Sequence, residues 1–224
     1  MKLVHPDYSF QLEFIEGRAI ELVIENPKVF TGFINELLFQ LEGEEGRFVL
    51  SHEYDVIEIS QKLECIINPF DLDANKKKII NKLYALIKQE VIMSELMVEM
   101  GEVYHKFIEI INKIEGTVDY PLSYREDVDI NNFLKFMDVK LQIDEGSVLE
   151  KIVDYTKILH QLMRYDIIVL VNIQSYLSHK ELEELLKYAC YEEIHFLFIE
   201  SIDRGNTNDN IKKVIIDKDL CEIF

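Results

Sequence analysis

The chain has 224 residues, 48% of them hydrophobic, enough to bury one good core, so a single compact body with at most one inserted subdomain is expected. No apolar run reaches the roughly 18 residues of a membrane span, Met1–Asp7 lacks the zones of a signal peptide, and three scattered cysteines (Cys65, Cys190, Cys221) argue against a disulfide framework. A soluble protein of the reducing cytoplasm is expected. A formal charge of −18 argues against a nucleic-acid partner only if it is evenly spread; Lys76 to Gln89 holds five lysines and no acid, so +5 sits there and −23 (−18 less 5) on the rest.

Phe10–Ile15 and Ala19–Glu25 alternate as strands do, with Gly17-Arg18 as a turn between them. Asn26-Pro27 opens a helix as cap and first helical residue, Val29, Phe30, Phe33, Ile34, Leu37, Leu38 and Leu41 give its apolar face, and Gly43 stops it. Short strands are expected at Arg47–Ser51 and Asp55–Ile59, while Leu63–Ile67 is open to either reading. From about Ala74 to Glu115 there is no proline and only Gly101, which predicts a long helix. Ile79, Ile80, Leu83, Leu86, Ile87 and Val91 form its face, continued by residues from Ile92 to Ile111; such a helix should project or pair with a partner.

Gly116 ends that stretch, a polar loop runs from Thr117 to Val128, and a short helix follows near Ile130–Met137. Ser147-Val-Leu-Glu150 is a capping box opening a helix to about Met163, and Ser178-His-Lys-Glu181 is a second, opening one to about Tyr188. Ile167–Val171 and Phe196–Ile199 read as strands buried on both faces, so the two strands and the helix between them make a right-handed βαβ unit. Lys213–Asp217 and Leu220–Phe224 are candidate edge strands. The layout is an α/β body made from both chain ends around a helical insertion.

A nucleotide-binding body would carry a glycine-rich loop ending in Gly-Lys-Ser/Thr, and none of the eight glycines stands in that pattern. Gly43-Glu-Glu-Gly46-Arg47 comes nearest, with two acids where phosphate should lie, so NTP hydrolysis is not expected. Ser175, Ser178 and His179 follow a strand, but Ser178 is better read as a cap and His179 as an exposed helical residue. The six histidines have no zinc-hydrolase spacing, and Cys65 and Cys190 read as core.

Two features remain. Asp119, Glu126, Asp127 and Asp129 lie within eleven residues, a hard-oxygen set suited to Ca²⁺; the plainer alternative is a solvated loop with Asp129 capping the next helix. Lys77, Lys78, Lys82 and Lys88 lie opposite the apolar stripe, and with Lys76 just before them they make a run with no glutamate interleaved, unlike ordinary solvated faces, which mix signs for pairing. A purely positive face in an acidic protein suits a duplex phosphate backbone gripped without reading sequence, and without interleaved aromatics stacking on single strands is not indicated.

The order of these features resembles the small ring-forming, DNA-end-binding proteins of type II-A CRISPR adaptation modules. Asp166–Leu182 carries the clearest likeness: an apolar strand ending in Val171-Asn172, then a Tyr176-Leu177-Ser178 turn into an acidic helix. Phe196-Leu-Phe-Ile-Glu200 is similar to the family's second apolar strand, Asn68-Pro-Phe-Asp-Leu-Asp73 to its turn before the long helix, and Ser147–Lys151 to its helix start. Pro69 stands where the family has glycine, Asp73 where it has asparagine, and the 117–128 loop is longer.

The resemblance implies an α/β head like a P-loop-type αβα core without its phosphate loop, formed by residues 1–73 and 165–224, with a helical leg inserted over 74–164. It implies a homotetrameric ring that binds Ca²⁺ through an acidic stretch of the leg and holds double-stranded DNA in a lysine-lined channel. Its setting would be spacer acquisition in antiviral defence, alongside the integrase proteins and the RNA-guided nuclease. The expectation is thus a non-enzymatic, sequence-independent, cytoplasmic duplex-binding protein with no membrane partner. The alternatives are a degenerate nucleotide-binding protein with weak NTPase or nuclease activity, tested by loss of hydrolysis on removing Asn172 or Glu200, and a protein–protein adaptor.

Overall fold

In chain order the elements are β1 (Lys2–Val4), β2 (Leu12–Glu13), β3 (Ala19–Ile24), α1 (Pro27–Leu41), β4 (Val49–His52), β5 (Asp55–Ile57) and β6 (Leu63–Ile66). Three helices follow, α2 (Lys77–Met93), α3 (Leu96–Glu115) and α4 (Ile130–Phe136). The last part holds α5 (Val148–Gln161), β7 (Ile167–Val171), α6 (His179–Glu192), β8 (His195–Glu200), β9 (Ile211–Ile216) and β10 (Glu222–Ile223). The computed structural model describes all residues except 54, 126, 143–145, 206, 207 and 224.

These elements form a mixed α/β protein of two compact units, one from Met1–Asp73 with Ile143–Phe224, the other from Ala74–Gln142. In the first, a six-stranded sheet runs β10-β9-β3-β8-β7-β6, all parallel except β10, which lies antiparallel to β9. β3 and β7 are buried at every residue, as continuous apolar strands covered on both faces must be. Ile20, Leu22 and Ile24 share a core with Phe33 and Leu37 of α1, and with Leu3, Leu12 and Leu50 of a small antiparallel sheet, β2-β1-β4-β5. Strand alternation turns Phe196 and Phe198 to the other face, where they are fully buried. α6 packs on β8 and α5 beside α6.

The second unit has a smaller core. Tyr84 of α2 meets Ile130 and Leu134 of α4, flanked by Ile80, Leu83, Ile87 and Val91. The buried Tyr84 hydroxyl donates to the Val139 carbonyl at 3.0 Å. Asn75 and Leu141 exchange hydrogen bonds at 2.9 and 3.0 Å, closing the unit's start on its end.

Several expectations need correction. The long helix is two, because Ser94 takes an extended conformation and its hydroxyl donates to the Val91 carbonyl, offering the backbone an alternative to the next turn. Leu86, expected on the buried face, is exposed. The helix 148–161, expected in the insertion to residue 164, belongs to the first unit: Leu149, Ile152, Tyr155 and Leu159 are buried there. β9, expected at an edge, lies inside the sheet between β3 and β10. The strand expected over 10–15 pairs only at Leu12–Glu13, although Phe10 and Phe14 are also buried. Cys190 is exposed rather than core, while Cys65 is partly buried against the core and its thiol is pushed up to about 12 by burial.

Candidate nucleic-acid interface

The apolar stripe of α2 faces the second unit's core, so its opposite side faces water by geometry alone. Lys76 at the N-cap position and Lys77, Lys78, Lys82 and Lys88 along the helix are all exposed, with no acid interleaved among residues 76–89. Lys77 and Lys88 are three turns apart and differ by only about 20° around the axis, so the face is long as well as positive.

The acidic loop is fastened to α3 through polar contacts. The Leu122 amide donates to Glu115 Oε1 at 2.9 Å, the Tyr124 hydroxyl to Asn112 Oδ1 at 2.8 Å, and the Tyr104 hydroxyl to the Arg125 carbonyl at 2.6 Å. Beyond these anchors Asp127 and Asp129 line a hollow of about 440 Å³ together with Lys88, Arg125 and Asn131. Asp129 caps α4: its Oδ1 accepts from the Asn132 amide at 3.0 Å, and its Oδ2 is hydrogen-bonded and ion-paired to Arg125. Those contacts, the Asn132 amide first, hold its carboxyl below the ordinary carboxylate value.

Of the four expected Ca²⁺ ligands, Glu126 lies outside the described residues, and Asp119 is exposed and not part of the hollow. Among the described residues no group of three or more histidine, cysteine, aspartate or glutamate side chains stands ready to hold a metal. Ca²⁺ takes six to eight oxygens, and here two carboxylates share their space with an arginine and a lysine. The described residues do not form a Ca²⁺ cage.

A second polar cluster is built on the parallel strands of the first unit, with Glu200 at the end of β8 and Glu21 in the middle of β3. Glu21 of β3 is registered with Phe198 on one side and Lys213 on the other. It is 0% exposed, Glu200 at the end of β8 is 1% exposed, and neither Glu21 oxygen has a hydrogen-bond partner among the described residues. Lys213 Nζ lies 3.7 Å from Glu21 but 2.7 Å from Asp203, its closer partner. The Gln174 amide donates to Glu200 at 3.1 Å, and Asn172 Oδ1 accepts from the Ser201 amide and hydroxyl, both at 2.9 Å. Burial raises the Glu21 carboxyl and brings Glu200 up to about 7. Glu200 was legible at a strand end; Glu21 hides in an alternating run, its only signal being an acid inside a strand covered on both faces.

The places where phosphate would sit are already filled. Only Glu25 and Asn26 join β3 to α1, Asn26 Oδ1 accepts from the Lys28 and Val29 amides at 3.1 and 3.3 Å, and Pro27 has no N–H. At α6 the Glu181 amide is taken by Ser178 in a capping box. In the Gly43–Arg47 segment the Arg47 amide and guanidinium bind Glu36.

A family profile described as CRISPR-associated protein (Cas_Csn2) matches residues 40–220. The CRISPR-associated protein Csn2 of Enterococcus faecalis is 19% identical over 204 residues, covering 87% of this chain and 88% of its own. Among solved structures, the dimeric post-hydrolysis state of the ATP-binding cassette MJ0796 bound to ADP and Pi is similar with a TM-score of 0.38. That likeness has 12% identity and covers 88% of this chain and 79% of the other.

Proposed function

Since the chain belongs to the Cas_Csn2 family of CRISPR-associated proteins, we propose that it binds double-stranded DNA without reading its sequence, through the lysine face of α2. Family membership supports a role in CRISPR adaptation. The observation that carries the DNA reading is the exposed run Lys76, Lys77, Lys78, Lys82 and Lys88, with no acid interleaved, on a protein of charge −18. Lysines at this spacing take phosphates as point charges and leave base edges unread.

In this reading the protein is a non-enzymatic homotetrameric ring that accepts linear DNA by its ends. It works in the cytoplasm beside the integrase proteins and the RNA-guided nuclease during spacer acquisition. The support for an oligomer is α3: among its described residues none is buried, and Val103, Phe107, Ile110 and Ile114 are exposed. Ca²⁺ enters as a stabiliser of the assembly, supported by the run of acids Glu126, Asp127 and Asp129 and by the family likeness rather than by the hollow itself. The first unit is read as a P-loop-type αβα core that has lost its phosphate loop, supported by the two-residue passage from β3 to α1.

The test is the triple variant Lys77→Glu, Lys78→Glu, Lys82→Glu. It should lose linear duplex binding while keeping its circular dichroism and its mass, because all three side chains are exposed. Binding equal to the parent's would place the DNA contact elsewhere. A second reading, a degenerate nucleotide-binding protein with weak hydrolysis, is favoured by Glu200, buried at the carboxyl end of the parallel strand β8. ATP or DNA cleavage with Mg²⁺ that co-elutes with the parent and vanishes in Glu200→Gln would support it.

A further inference from the structure

We infer that Lys213 is the shared arm of a proton-controlled latch: bound to Asp203 it fastens the segment after β8 to β9, and ionised Glu21 competes with Asp203 for it. The latch lies in the first unit and is independent of the DNA contact proposed on the second.

The sheet sets the geometry. β3 and β9 are parallel neighbours with Glu21 opposite Lys213, so register fixes this pair. Glu21 is 0% exposed with neither oxygen hydrogen-bonded among the described residues, and Gln174 Nε2 beside it is buried and unpartnered too. Neutral, such a carboxyl is tolerated; ionised, it needs a counter-charge. Lys213 has two acids within reach. Its ammonium donates to Asp203 Oδ1 at 2.7 Å, and it lies 3.7 Å from Glu21 Oε2, too far for a hydrogen bond. Burial raises the Glu21 carboxyl, while Lys213 first and then the Gly205 amide lower that of Asp203. The arrangement seen is therefore the one that a protonated Glu21 dictates.

Asp203 organises its segment. Its Oδ1 also accepts from the Gly205 amide at 2.9 Å, and Gly205 has a φ of +66°, which glycine adopts without strain. The other ties of the segment run to the turn after β7: Ser201 to Asn172 Oδ1 at 2.9 Å, and Arg204 to Ser175 Oγ at 2.8 Å. Lys213 is what ties it to β9. Once Glu21 loses its proton, it is a buried anion without water, and it gains more from the ammonium than Asp203, which solvent reaches. The charged groups facing Glu21 are Lys213, Asp203 and Glu200, with Arg204 acting on Glu200. Burial holds Glu200 up to about 7, and its charge opposes that of Glu21, so the latch opens as pH rises above neutral.

The experiment is amide hydrogen exchange of the full chain at about pH 6 and about pH 8.5, corrected for the intrinsic effect of pH. Protection over Ile202–Gly205 should fall by about two- to fivefold between them, the worth of one partly exposed ion pair. Glu21→Gln cannot ionise and should keep its protection at both values. Asp203→Asn retains an acceptor for the Gly205 amide but not the charge, and should show the lower protection at both. Glu200→Gln removes the opposing charge and should move the loss to lower pH. Protection in the parent that does not change with pH overturns the latch, as does an equal fall in Glu21→Gln. Should Glu21→Gln fail to fold, Asp203→Asn decides, because the parent's pH dependence persisting there would also overturn it.

Discussion

Two glutamates of the first unit respond to pH in opposite directions because their surroundings differ. Glu36 lies between Arg47, whose Nε and Nη2 donate at 2.9 and 2.8 Å, and His5 at 3.2 Å. These donors, Arg47 first, lower its carboxyl from 4.5 to about 2. With the folded value below the unfolded one, its contribution is whole above 4.5 and is lost as pH falls toward 2. Glu200 is raised by burial from 4.5 to about 7, so the unfolded chain releases this proton first and stability declines as pH rises through that window. Glu200→Gln cannot ionise and keeps an acceptor for the Gln174 amide. Urea midpoints at about pH 5 and about pH 8 should therefore fall more in the parent than in the variant. Equal falls would mean that Glu200 does not carry the proton.

At the scale of elements, α2 is one helix with two tasks: Ile80, Leu83, Tyr84 and Ile87 build the second unit's core, and the lysines stay in water. Because no core residue is touched, each single Lys→Ala change should leave the melting temperature within a degree or so. Each should reduce the slope of log affinity against log salt by about 0.9 for every phosphate that the lysine neutralises in the parent. A lysine whose removal leaves the slope unchanged does not touch DNA. The paired capping boxes of α5 and α6 show how far local chemistry reaches: Ser147 and Glu150, like Ser178 and Glu181, satisfy each other's helix starts. The break at Ser94 shows where it stops, since no glycine or proline announced it.

For the whole molecule, the proposed ring has a topological consequence. A closed ring takes linear duplex by threading an end, so a covalently closed circle of the same sequence should bind far less. Equal binding of both forms would remove the threading mechanism even with the lysines confirmed. The Ca²⁺ part has its own test: Glu126→Gln, Asp127→Asn and Asp129→Asn together should reduce metal content and loosen the oligomer in sedimentation with Ca²⁺ present. Unchanged mass and metal content would leave the hollow to Arg125 and Lys88 alone.

The strands Ile167–Val171 and Phe196–Ile199, the Asn26 cap, both capping boxes and the exposed lysines follow from periodicity and capping chemistry, which act over a few residues. Family membership was legible for a related reason, since the order of such motifs survives at 19% identity. What lay beyond the sequence depends on residues far apart in it. Leu63–Ile66 is a strand because β7 offers it a parallel partner, and 148–161 joins the first unit because its buried stripe is covered there. Glu21 is buried inside a sheet, and Lys213, far downstream in the sequence, is brought beside it only by the pairing of β3 with β9. Asp129 was legible as a cap, the plainer of its two readings, but that its second oxygen would meet Arg125 and the Asn132 side chain was not, because only three-dimensional packing decides which neighbour a carboxylate meets.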